Sequence, residues 1–424
     1  MEAQFSQNIN KLKILIYEHV SGGGYAEQPL PPRVLAEGYA MLRSLIADFK
    51  AAGHETTVLL DERISRLDTP LDADLVIPVC YCTEPEKFLT AISKINDALY
   101  IIAPETSRIL EEKVKLIEQT GKMSLNCKSN SISIVADKTS LYETLQDMGF
   151  PIPKTLIISI DAGTAEIFQT IKKGLKYPLV LKPADGTSCS GLSLVRIEDQ
   201  IEQAINKIRK VTLGKSFIVQ EYIDGASASV SLISNGKKAT PLSLNSQSLI
   251  LSHPNAESQY EGGCVPFRHP LEQDAFVLAQ KVVEAFPGLR GYVGVDVILT
   301  RNQVFVVDVN PRLTTSYVGL RKLGDFNIAQ FLIDAVVKGE LPKRIKTFRT
   351  ACFSKDDVPM PKFEIFERVA QSDSIISPPF PIGSNTKACA LVIGQGSDFA
   401  EAKNLLEEAK KNLQNISSEE QMFG

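Results

Sequence analysis

No stretch of the sequence carries the run of about 18–20 apolar residues that a bilayer-spanning helix needs. The opening residues, Met1 to Asn10, are polar and lack the charged-then-apolar layout of a secretion signal. The expectation is therefore a cytosolic protein with no membrane partner. An excess of positive charge is missing too: 46 Lys and Arg against 50 Asp and Glu give a formal net charge of −4. Nucleic acids are held by a basic field, so no nucleic-acid partner is expected. Histidine is scarce. His19, His54, His253 and His269 are scattered, which offers no Ser/His/Asp or Cys/His arrangement for nucleophilic catalysis. The seven cysteines are odd in number, and the Cys80-x-Cys82 pair lacks the second pair that would complete a zinc site. Reduced, mostly buried thiols are expected. Repeats and low-complexity tracts are absent, and 424 residues predict two to four domains.

What is present begins as an alternating α/β pattern. Residues 12–17 form a buried first strand, followed by Ser21-Gly22-Gly23-Gly24 and a helical pattern from Pro32 to Ala52 that stops at Gly53. Strands at Glu55–Leu60, Leu75–Val79 and Ala98–Ile102, with helices at 85–96 and 105–120, predict a parallel, Rossmann-like sheet. The glycines do not match the dinucleotide fingerprint. Their loop, at the C-terminal end of the first strand, is a candidate substrate contact through His19, Gly22 and Gly23, or else a flexible turn. From residue 138 the texture changes to helix 138–148, strand 154–159, helix 164–173, strand 178–182, strand 191–196, helix 199–209 and strand 216–223. A strand-rich stretch follows at 228–250, then a helix at 272–286, a hairpin at 292–309 and a helix at 326–338. The prolines from Pro359 to Pro381 predict an irregular, extended tail from about residue 345. It is followed by a strand at 388–393 and a helix at 399–414 capped by Ser397-Asp398.

Three segments carry chemistry together. An apolar strand ends in Lys182 and opens into the small-residue loop Ala184–Gly191, whose backbone N–H groups, at Gly186 and Ser188 among others, are suited to phosphate. Lys182 supplies a point charge for phosphate oxygens. A second apolar strand ends in Gln220-Glu221-Tyr222-Ile223-Asp224, a carboxylate and free backbone groups able to read an adenine edge and a ribose. In the third, Asp296 and Asp308 lie on adjacent antiparallel strands, with Asn310 on the same face as Asp308. Oxygen ligands of this kind suit magnesium. Acids amid such apolar runs would otherwise be buried without a counter-charge.

In order and spacing, Lys138, the Lys182 strand and its loop, Gln220–Gly225, and Asp296 with Asp308 and Asn310 resemble the ATP-grasp superfamily over residues 130–325. The resemblance implies a pre-ATP-grasp Rossmann-like domain (1–130), small and large ATP-grasp subdomains (131–215 and 216–340) and a C-terminal α/β extension (341–424). It implies that Lys138 and Lys182 contact ATP, that Glu221 and Ile223 hold the adenine, and that Asp296, Asp308 and Asn310 hold Mg2+ or Mn2+. Arg312 would stabilise the transferring phosphate or the oxyanion that follows, with Lys182 beside it. A homodimer is compatible with the superfamily. One departure is Ala226-Ser227-Ala228 where many members carry a ribose-gripping acid, which leaves Asp224 as the substitute.

Residues 16–24, Leu244-Asn245-Ser246-Gln247 and Tyr260-Glu261-Gly262-Gly263 are similar to the tyramine–L-glutamate ligases of methanofuran synthesis. The implied activity is ATP-dependent joining of a carboxylate to an amine through an acyl phosphate, with small-molecule partners bound by Asn245, Gln247, Tyr260, Gly262 and Gly263. Loops 184–191 and 251–270 are candidate lids. A kinase and a non-catalytic nucleotide-binding regulator are the alternatives.

Overall fold

The computed structural model describes residues 11–67, 69–80, 85–186, 189–382 and 386–418. Ser188, Cys82 and the first ten residues lie outside that set. Five strands make a parallel sheet in the order β3-β2-β1-β4-β5. They are β1 (Lys13–Glu18), β2 (Glu55–Asp61), β3 (Leu75–Val79), β4 (Ala98–Ile102) and β5 (Met123–Ser124). Helices α1 (Pro32–Ala51), α2 (Glu62–Ser65), α3 (Pro85–Ser93) and α4 (Ile109–Gln119) connect them, and α5 (Ser129–Ala136) leads out. The central strands are continuous apolar runs because both faces are covered, as parallel sheets require. α1 forms because Leu35, Leu42, Leu45, Ile46 and Phe49 recur at helical spacing and are buried.

Helix α6 (Lys138–Asp147) opens the second unit. Its sheet, in the order β6-β9-β7-β8, consists of β6 (Thr155–Ser159), β7 (Leu179–Pro183), β8 (Ser193–Val195) and β9 (Ser216–Glu221). Helices α7 (Thr164–Gly174) and α8 (Ile201–Arg209) bury their apolar faces on it. The third unit contains the antiparallel sheet β11-β10-β14-β15. Its strands are β10 (Ala226–Asn235), β11 (Ala239–Ser246), β14 (Arg290–Leu299) and β15 (Val304–Asn310). Between them come β12 (Ser248–Ile250), β13 (Gln259–Val265) and α9 (Glu272–Ala285), and α10 (Tyr317–Leu320) and α11 (Ile328–Ile333) follow.

The end of the chain is more regular than its prolines predict. β16 (Thr350–Pro359), α12 (Phe363–Ala370), β17 (Ile375–Ser377), β18 (Lys387–Gly396) and α13 (Phe399–Ser418) are ordered elements. The prolines fall at the end of β16 and in the connections, where a missing N–H costs nothing. A sheet in the order β12-β13-β16-β18-β17 joins strands from both sides of residue 340. Residues 259–265, expected as part of a lid, are therefore a paired strand. Two glycines weaken the strand pattern there, yet the sheet needs them. A Cβ at Gly263 would stand 2.0 Å from the Ser246 carbonyl oxygen, and one at Gly262 2.1 Å from that of Phe353. In this register Cys264 faces Cys352, and the two form a disulfide rather than the expected reduced thiols. A separation of 88 residues leaves no local spacing that could announce it. As expected, Asp398 caps α13, accepting from the Glu401 N–H at 2.9 Å.

A buried polar junction fastens the first unit to the third. Asp48 on α1 accepts from Tyr317 Oη at 2.6 Å and from Arg321 Nε at 2.9 Å. Asp48→Ala leaves the buried Arg321 without its acid and is expected to lower unfolding stability by about 3 kcal/mol. Chemical denaturation of the variant checks this, and an unchanged midpoint would refute it.

Candidate functional site

The ends of these sheets enclose a cavity of about 550 Å³, the size of one that holds a small-molecule ligand. Its lining includes Lys138, Lys182, Gly186, Gln220, Glu221, Tyr222, Ile223, Gln247 and Tyr260. Asp296, Asp308, Asn310 and Arg312 line it as well. Segments as far as 170 residues apart in sequence, those of Lys138 and Asp308, thus converge as their pattern predicts.

The two acids meet because β14 and β15 pair antiparallel with Asp296 directly opposite Asp308, just before an irregularity in register. Asp296 accepts from Gln247 Nε2 at 3.0 Å and from Asn310 Nδ2 at 3.1 Å. Burial, and then the charge of Asp308, pushes its carboxyl up to about 6. Lys138 Nζ donates to Asp308 at 2.7 Å. Lys182 Nζ donates to Tyr142 Oη at 2.6 Å and to the Val307 carbonyl at 3.2 Å, with the Tyr142 ring 4.8 Å from the ammonium. Burial, and then the charge of Lys138, pulls the Lys182 ammonium down to about 7. Arg312 reaches across to the N-terminal unit, where Nε sits 2.9 and 3.0 Å from the two Glu105 oxygens.

This donor set fits a hard cation. The half-buried carboxylates face each other in the cavity wall, and their mutual repulsion is relieved when a cation sits between them. Among the described residues no three His, Cys, Asp or Glu side chains gather in a metal-holding group. A magnesium ion held by Asp296, Asp308 and Asn310 would complete its shell with oxygens from outside the chain, as it does beside phosphates.

Glu221 ends β9 and Tyr222 and Ile223 follow it; they line the cavity with Val180, Leu194 and Val307, apolar side chains suited to a base. Asp224 is exposed and outside the lining. Six other expected contacts lie elsewhere. Asn245 is buried under the wall, donating to Ser231 Oγ at 2.9 Å. Gly262 and Gly263 serve the close approach of strands. His19, Gly22 and Gly23 stand inside the N-terminal unit. There Gly23, at φ +94°, lies where a Cβ would meet Val79 at 2.6 Å. The turn they form is organised from below by Glu18, which accepts from Ser21 N at 2.6 Å and Ser21 Oγ at 2.7 Å.

Sequence reasoning missed Glu37, Glu105, Thr315 and Lys355, all of which line the cavity. Only Glu105 carries a usable signal, since it follows the C-terminal end of a parallel strand, where α/β sheets place ligand contacts.

Two family descriptions match the chain: an ATP-grasp domain over residues 135–316 and a pre ATP-grasp domain over 54–132. A tyramine–L-glutamate ligase of Methanocaldococcus fervens is 30% identical over 343 residues, 78% of this chain and 97% of that protein. Its namesake in Methanocaldococcus jannaschii is 29% identical over 336 residues, 78% of this chain and 92% of the relative. Among solved structures, a putative ATP-grasp superfamily protein from Archaeoglobus fulgidus superposes with a TM-score of 0.60 at 24% identity, covering 90% of this chain and 99% of the other.

The placement of His19 has a measurable consequence. Burial, and to a lesser extent Lys113, holds its imidazole down at about 4 against an ordinary 6.5. The unfolded chain therefore takes up a proton near pH 6.5 that the folded chain refuses until about pH 4. Stability from this group is complete above 6.5 and is lost as pH falls toward 4, a loss of about 3 kcal/mol. Denaturation of the wild type and His19→Gln between pH 7.5 and 4.5 should show a shallower fall for the variant; parallel curves would contradict this.

Proposed function

The chain belongs to the ATP-grasp ligases, and from that premise we propose that it joins the side-chain carboxylate of L-glutamate to tyramine with hydrolysis of ATP to ADP and phosphate. The observation that carries the reading is the half-buried Asp296–Asp308 pair, faced by Lys138, Lys182 and Arg312 in one cavity. The glutamate and tyramine assignment rests on the names of the two archaeal relatives, whose length this chain spans almost completely.

A carboxylate condenses poorly with an amine because its oxygen is a poor leaving group. Phosphorylation turns that oxygen into part of a good one, so the γ-phosphoryl group of ATP passes first to the carboxylate and the amine then displaces phosphate. Lys138 and Lys182 neutralise phosphate charge, and the 184–191 loop offers backbone N–H groups to the same oxygens. Glu221, Tyr222 and Ile223 hold the base. Arg312 takes the charge that develops on the acyl oxygen when the amine attacks, and Glu105 fixes its guanidinium in the position to do so. A magnesium ion, when bound, supplies further neutralisation of the triphosphate. Water has to be kept from the acyl phosphate, which would otherwise hydrolyse.

With ATP and magnesium supplied, ADP and phosphate should appear only when L-glutamate and tyramine are both present, alongside one new amide per ADP. A stable phosphoester without free phosphate would instead indicate a kinase. Asp308→Asn should lower kcat about a thousandfold, or ~4 kcal/mol, with the fold intact by circular dichroism. Lys182 gives a second test. At pH 8 its amine is mostly neutral in the free protein, and a bound triphosphate restores the charge. Calorimetry in buffers of different ionisation enthalpy should find most of a proton taken up with each nucleotide, and none with Lys182→Met.

A further inference from the structure

One ion pair in the cavity wall is left unused by this chemistry. Lys355, on β16, donates to the carboxylate of Glu37 on α1, and its ammonium lies 5.5 Å from the centre of the Tyr260 ring. The other Glu37 oxygen accepts from Thr315 Oγ1 at 2.9 Å, which ties the pair to the segment that carries Arg312. The charges of Glu37 and Asp296 both act on the Arg312 guanidinium, so the ion pair and the carboxylate pair stand within reach of the same cation. The Lys355 side chain is 7% exposed and that of Glu37 17%, and what exposure remains faces the cavity they line.

Such a pair is a weak device for stability, because desolvation offsets most of the attraction between the two charges. It is, however, the complement of a zwitterion. An ammonium group binds beside Glu37 and a carboxylate beside Lys355, each exchanging an internal partner for an external one. Position in the chain points the same way. Lys138, Lys182, Asp296 and Asp308 fall within the segment that matches the ATP-grasp domain, whereas Glu37 and Lys355 fall outside both matched segments. The end of the cavity that holds the carboxylate pair is thus built from the part the ATP-grasp description covers, and this end from parts that lie outside it.

Resting on the ligase reading above, we propose that Glu37 and Lys355 form the subsite for the α-ammonium and α-carboxylate of the acid substrate, which is therefore an α-amino acid activated at its side-chain carboxylate. An aromatic amine without a carboxylate has nothing to offer Lys355, so the subsite is assigned to the acid and not to the nucleophile. Two methylene groups separate the side-chain carboxylate of glutamate from its α-carbon. That reach lets the head group stay with Glu37 and Lys355 while the reacting end meets Arg312.

The test compares L-glutamate with glutarate, which lacks the ammonium, and with 4-aminobutyrate, which lacks the α-carboxylate, using tyramine as the amine and ADP release as readout. Wild type should favour L-glutamate over each analogue by about 30-fold or more in kcat/KM, the penalty for leaving one buried charge unmatched. Glu37→Gln should bring glutarate level with glutamate, and Lys355→Met should do so for 4-aminobutyrate, each leaving KM for ATP within about twofold. Lys355→Arg, which keeps the charge, should retain the preference, and thermal melting with nucleotide-analogue affinity checks that the variants fold. Preferences unchanged in the variants, or equal losses for all three acids, would overturn the proposal. A parallel titration needs no turnover: L-glutamate is added to protein loaded with magnesium and a non-hydrolysable ATP analogue. Binding that weakens about 30-fold in Lys355→Met supports the subsite, and absence of binding by L-glutamate and L-aspartate alike refutes it. ADP release without amide product refutes the ligase reading and leaves this binding measurement to decide the subsite.

Discussion

Two carboxylates set directly opposite each other in a buried strand pair are the constraint around which this molecule is arranged. The register of β14 with β15 leaves Asp296 and Asp308 no way to avoid each other. Burial makes their charge expensive, and Asp296 responds by holding its proton to about pH 6. Positive groups are recruited from far along the chain in consequence. Lys138 comes from the start of a helix and Lys182 from the end of a strand in another sheet. Arg312 follows Asp308 by four residues and is itself steadied by Glu105 of the N-terminal unit. Each cation is then a reason for the unit that carries it to dock where it does.

The docking is achieved by ordinary means. Apolar faces of α1 and the parallel sheet merge with α10, α11 and the C-terminal sheet into one core, and Asp48 supplies the polar fastening within it. The cavity therefore sits where several packed bodies meet, a common place for a ligand site. Its charges repel or attract across unit boundaries, and its shape depends on how the units close.

Legibility in the sequence follows the distance over which each signal acts. The Lys182 strand and loop, the Gln220–Ile223 run and the Asp-x-Asn ending of β15 are local patterns, and they converge in the structure as the pattern suggests. So do the alternating strands and helices of the first hundred residues. β13 was obscured by Gly262 and Gly263, which serve a close backbone approach and depress the strand signal while doing so. The triple glycine after β1 looked like a ligand loop, yet Gly22 and Gly23 answer to packing against Tyr17 and Val79. Glu37 resembles any polar residue of an amphipathic helix, and Lys355 lies in a stretch whose prolines suggested irregular chain. Nothing within ten residues of either indicates the other, 318 positions away. Tertiary pairing alone gives them meaning.

The sheet that runs β12-β13-β16-β18-β17 carries a consequence for how such chains diversify. It joins a strand pair from the middle of the polypeptide, edge to edge, to three strands from its end, so segments distant in the chain share one sheet. An exchange of C-terminal segments between two related genes would therefore not append a neutral tail. It would replace three strands of a shared sheet and the cavity-lining Lys355 while leaving Lys138, Lys182, Asp296 and Asp308 in place, so a single recombination event would alter the lining of the cavity.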